Sequence, residues 1–90
     1  MKDINNEIEL EYYCDLHRHL VCIPYSIPNL HIMAKDLGIK AYYFHRQRKN
    51  HHYDIPVKQY KEVLAKSNLV SSFDIVKICN GEYIPAPKID

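Results

Sequence analysis

Ninety residues carrying a formal net charge of +1, 47% hydrophobic and 26% charged, are enough for one small globular domain and exclude two. So even a charge balance excludes a general nucleic-acid binder, which needs a basic excess. Two glycines exclude a Gly-rich phosphate loop or a dinucleotide fingerprint.

The expected organisation is a frayed N-terminus over 1–6, a single domain over 7–81 and an extended tail over 82–90, where two prolines interrupt "EYIPAPKID". Ile8, Leu10, Tyr12 and Cys14 alternate with Glu7, Glu9, Glu11 and Tyr13, the period of a half-buried strand. "YCDLHRHLVC", residues 13–22, reads as extended chain with Asp15, His17 and His19 at every second position, hence on one face. "HLVCIPY" is a second extended run, closed by Pro24.

"SIPNLHIMAKDLGI" predicts a helix. Pro28 suits its first turn, Leu30, Met33, Ala34 and Leu37 form an apolar stripe, and Gly38 fits the left-handed stop. His31 lies about a third of a turn off that stripe. "KAYYFHR" reads as a third strand and "RQRKNHHYD" as a polar loop. Asp54 is the expected N-cap of a second helix, with Pro56 in its first turn and Val57, Tyr60, Val63 and Leu64 as its stripe. "NLVSS" predicts a short strand. Ser71-x-x-Asp74 resembles a capping box and opens a helix over Ser72–Cys79, ended by Asn80-Gly81.

Extended runs alternating with helices predict an α/β domain of two or three layers, with a mostly parallel short sheet of three or four strands and about three helices. Loops after the first extended region and at 45–54 would then meet at the edge where such sheets bind ligands. No apolar run approaches the ~20 residues of a bilayer span. Cys14, Cys22 and Cys79, without Cys-x-x-Cys or a signal peptide, read as small buried hydrophobes in a reducing, cytoplasmic setting.

Six histidines and eight tyrosines are the chemical signal. Asp15-x-His17-x-His19 resembles the opening motif of metal-dependent hydrolases of the polymerase-and-histidinol-phosphatase type. Those enzymes need a far larger barrel, and the spacing is not one of the specific zinc patterns. A metal-free anion site is the competing reading. His45, Arg46, Arg48, Lys49, His51 and His52 fall within eight residues and run into Tyr53 and Asp54 at a helix start, where phosphate is favoured. The bland alternative is a solvated basic loop, with His31 a core-edge residue and the tyrosines filling sheet faces.

"YYCDLHRHLVCIPYSIPNLHIMAKDLGI" followed by "YYFHRQRKNHHYDIP" resembles the uncharacterised bacterial and phage family named domain of unknown function 4031. Asp15, His19, Leu30-His31 and His52-Tyr53-Asp54 carry the resemblance, which spans about residues 12–78. His17 falls outside that pattern, so the resemblance removes it from the site. It implies no activity, but phage occurrence suggests a protein acting on host nucleotides or signals, as in anti-defence.

The leading expectation is a domain that binds a phosphate-containing ligand, a nucleotide or cyclic nucleotide, and hydrolyses it like a metal-independent phosphodiesterase. Catalytic residues would be His19, His31, His52 and Asp54, with imidazoles as general acid and base. Asp15, Arg18, His45, Arg46 and Tyr53 would contact ligand or orient a histidine. No metal or other cofactor is expected in this reading, and a homodimer is compatible with so small a core. The alternatives are a sequestering or protein-interaction module without turnover, and a small metal-dependent hydrolase.

Overall fold

After the first strand the chain turns back on itself within four residues. In the computed structural model, which describes residues 9–85, β1 (Glu11–Cys14) and β2 (His19–Ile23) form an antiparallel hairpin. Cys14 faces Leu20, and Glu11 faces Ile23. The expected frayed segment 1–6 and the end of the expected tail, 86–90, lie outside the described residues.

The extended reading of residues 13–22 is therefore corrected at 15–18. Arg18 donates its N–H to the Asp15 carbonyl and stands at φ 69°, the left-handed region that turns usually give to glycine. The Asp15 carboxylate stabilises the turn by accepting the N–H groups of His17 and His19 at 3.0 and 2.9 Å.

α1 (Ile27–Leu37) follows. Ser26 caps it by accepting from the Asn29 N–H, and Gly38 ends it at φ 73°. Most of the expected third strand is instead a single 3-10 turn, Ala41–Tyr43, and only β3 (Phe44–His45) is extended. β4 (His52–Asp54) pairs antiparallel with both β3 and β2.

α2 (Val57–Ala65) starts after Pro56, which occupies the N-cap. Asp54 is not that cap, as the sequence suggested; it ends β4, and its carboxylate is free for other partners. β5 (Asn68–Leu69) lies parallel to β1, and α3 (Ser72–Cys79) carries the full Ser71/Asp74 capping box.

The sheet order is β3-β4-β2-β1-β5. Among the described residues only β1 and β5 pair in parallel, so the expected mostly parallel sheet is corrected to a mixed, mostly antiparallel one of five strands. The helices do join strands of like direction, β2 to β3 and β4 to β5. The β3–β4 hairpin puts β4 between β2 and β3, and the β1–β2 hairpin puts both its strands between β4 and β5, so every described neighbouring pair except β1 and β5 runs antiparallel.

Residues directly opposed across antiparallel strands share a face. His19 opposes Asp54 and His45 opposes His52, so these four lie on one face; Leu20, Tyr53 and Phe44 lie on the other. α1 covers the second face, where Tyr12 donates to Asp36 and Tyr53 meets His31. α3 covers the first, reaching Asp15 through Ser72. Leu20, Cys22, Leu30, Met33, Ile55 and Val63 are fully buried or nearly so. Burying each large side chain contributes about 1.5–3 kcal/mol. Among the described residues no helix is long and apolar enough to cross a membrane.

Candidate functional site

Asp15 is the anchor. It follows β1 directly, is only 1% exposed, and fills its carboxylate with four donors. Two are the backbone N–H groups of the turn; the others are His19 Nδ1 at 2.8 Å and Ser72 Oγ at 2.6 Å, both on Oδ2. Burial alone would raise this carboxyl, but the bonds from Ser72 and His19 outweigh it and hold it below the ordinary carboxylate range. An ionised carboxylate only accepts, so His19 Nδ1 carries the proton and Nε2 is the ring atom left for other work.

His52 is fixed in the same manner from the opposite side. Its Nδ1 lies 2.9 Å from the Asn50 carbonyl, which again can only accept. Its Nε2 stands 3.3 Å from Asp54 Oδ1, while Asp54 Oδ2 lies 2.8 Å from His45 Nε2. His45 stacks parallel on His52 with ring centroids 5.5 Å apart, and His19 meets His52 edge-on at 5.0 Å. β4 alone places His52 and Asp54 together, because alternate residues of a strand share a face. His52 forms the buried floor of the group, and the His19, Asp54 and His45 side chains reach solvent at its rim.

Donor atoms of His19, His52 and Asp54 lie within 4.8 Å of one another, close enough to share one cation. Beside them is a cavity of about 130 Å³ lined by His19, Gln47, Asn50, His52, Ser72 and Ile75, among others. A drug-sized ligand needs ~300 Å³ or more, so one polar group of a larger ligand fits here and the whole ligand does not. Asn50 Oδ1 is buried with no hydrogen-bond partner among the described residues.

Of the residues expected from sequence, Asp15, His19, His45, His52 and Asp54 come together. His31 does not. Its Nδ1 bonds the Tyr53 hydroxyl at 2.7 Å on the α1 face, with the sheet between it and the cluster. Tyr53 goes with it, because it alternates with His52 and Asp54 along β4; burial raises its hydroxyl above the ordinary tyrosine value. Convergence of His19, His31 and His52 on one ligand is thus ruled out by strand alternation.

The Arg18 guanidinium donates to the Ile55 carbonyl at 3.0 Å and lines a separate groove with Lys40, Tyr43 and Lys58. Arg46 is exposed on the loop between β3 and β4. Sequence reasoning missed Ser72 and Asn50. Ser72 lies beside the N-cap Ser71, so a capping motif concealed a second serine aimed at Asp15. Asn50 acts through its backbone carbonyl, which residue type does not reveal.

A search of curated proteins and a search of solved structures each returned no match. A family model described as "Protein of unknown function (DUF4031)" matches residues 8–80, a span that holds Asp15, His19, His45, His52, Asp54 and all of α3. Since the match covers most of the chain, this protein belongs to that family.

Proposed function

We propose that this domain is a small cytoplasmic hydrolase that takes one phosphate group of a nucleotide-like ligand at the His19–His52–Asp54 cluster. The observation that carries the reading is orientation. His19 and His52 each have Nδ1 tied to an acceptor, Asp15 in one case and the Asn50 carbonyl in the other. Both rings therefore offer Nε2 to the same region, beside a cavity of about 130 Å³. Preorganised groups of this kind lower a barrier because little reorganisation is left for the reaction itself.

A water held at the cluster is the nucleophile. Its oxygen forms a bond to phosphorus as the ester P–O bond breaks, and its proton passes by way of the cluster to the leaving oxygen. The exposed loop with Arg46, Arg48 and Lys49 adjoins Gln47 and Asn50 of the cavity and attracts an anionic ligand to its mouth. The ligand's remainder lies outside the cavity, on the surface.

The test is incubation with mono-, di- and cyclic nucleotides, followed by chromatography. New products that fall at least 100-fold in His19→Ala and His52→Ala, with His31→Ala unchanged, are the expected result. A ligand that binds and is recovered intact would make the protein a sequestering module. Neither binding nor products across the panel would remove the reading.

A further inference from the structure

We infer that His19 Nε2, His52 Nε2 and Asp54 Oδ1 hold one divalent transition-metal ion. The geometry makes the case in three steps. First, the proton of His52 is already placed on Nδ1 by the Asn50 carbonyl, so Nε2 presents a lone pair. That lone pair stands 3.3 Å from a carboxylate oxygen, another acceptor. Two acceptors at that distance repel unless a positive charge lies against both. His19 adds a third lone pair, since its own ring proton goes to Asp15.

Second, the spacing suits a metal. Two ligands each about 2.1 Å from a tetrahedral ion stand about 3.4 Å apart. His52 and Asp54 are already at 3.3 Å, and the whole donor set lies within 4.8 Å, a gap that small side-chain rotations close. Two imidazoles and one carboxylate suit zinc, iron, manganese or cobalt, whereas calcium and magnesium prefer all-oxygen shells.

Third, the outer partners are those that metal-bound histidines use. A ligating imidazole commonly donates its other N–H to a carboxylate or a backbone carbonyl, which fixes its tautomer and strengthens it as a donor. Asp15 does this for His19 and the Asn50 carbonyl for His52. Asp54 has an outer partner too, His45 at 2.8 Å. Three protein ligands leave a coordination position toward the neighbouring cavity, the pattern of catalytic rather than structural zinc.

The proposed hydrolysis gives the ion its purpose, but its presence is measured without substrate. Tag-free protein, stripped with chelator, is titrated calorimetrically with Zn²⁺, and with Co²⁺ followed by visible absorption. The expected result is one tight site with a tetrahedral-type cobalt spectrum. It weakens at least 100-fold in His52→Ala and in the milder Asp54→Asn, and 10- to 100-fold in Asp15→Asn. His17→Ala and His31→Ala leave it unchanged, and circular dichroism confirms that each variant folds. No tight site, or one that persists in folded Asp54→Asn and His52→Ala, overturns the inference; an additional proton on His52 would then stand where the metal was placed. Tight metal binding without turnover sinks the hydrolase and keeps the centre. Turnover in stripped protein that shows no tight site in the titration keeps the hydrolase and removes the centre.

Discussion

Asp15 shows how one side chain serves fold and site together. Its four donors come from the hairpin turn, from His19 and from α3, so removing it unpairs three elements at once. Breaking a buried charged pair costs about 3–5 kcal/mol, a large part of the roughly 5–15 kcal/mol that holds a domain together. Asp15→Ala is expected to lower the unfolding free energy by that amount in urea titrations at pH 7. Asp15→Asn should cost less, about 1–3 kcal/mol, because an amide keeps the shape but has only one acceptor oxygen. The sign with pH follows from its lowered value in the folded state. The contribution is complete above the unfolded carboxyl value near 4 and disappears as pH falls through the folded value. Repeating the titrations toward pH 3 should therefore narrow the gap between wild type and Asp15→Ala; a constant gap would mean that the charge contributes nothing.

Secondary elements decide which of the many histidines belong together. "HYD" holds the answer only as a strand: then His52 and Asp54 share a face and Tyr53 opposes them. Asp54 before Ile-Pro fits an N-cap equally well on composition, and that reading hid the alternation. The hairpin was hidden too. "DLHR" has no glycine, and its left-handed residue is Arg18, a conformation that residue type does not announce. By contrast the bounds of α3 were legible, because a serine and an aspartate three apart satisfy orphan N–H groups locally. Ser71→Ala should cost about 1 kcal/mol, read as a shift of the urea midpoint. Since α3 carries Ser72 against Asp15, the same variant should also weaken Zn²⁺ binding, which a purely local cap would leave unaltered. Arg48 offers the opposite change. It is exposed at φ 51°, so Arg48→Gly should raise stability by up to about 1 kcal/mol by relieving left-handed strain. A lower midpoint would show that the Arg48 side chain has a role that its backbone conceals.

For the molecule as a whole, the three cysteines sit where global opening can be read. Cys14 on β1 and Cys22 on β2 face α1, while Cys79 belongs to α3 on the opposite side of the sheet. All three are buried and unpaired, in keeping with the sequence reading of them as small buried hydrophobes without a Cys-x-x-Cys pair. Burial pushes the Cys22 thiol up to about 12 and raises Cys14 and Cys79 as well. A thiolate is the reactive form, so native protein at neutral pH should react with iodoacetamide only through opened states. With an opening free energy of ~5 kcal/mol, labelling should be roughly 5 × 10³-fold slower than in urea-unfolded chain. Mass spectrometry of quenched samples should show the three thiols labelled together, because the sheet joins both helical layers through β1 and β2. Asp15→Ala should speed all three alike. If Cys79 alone were labelled quickly, α3 would be opening by itself, and with it would go Ser72, the wall of the cavity and the second donor on Asp15 Oδ2. Ligand access would then depend on a moving helix, and Zn²⁺ binding should slow Cys79 labelling selectively.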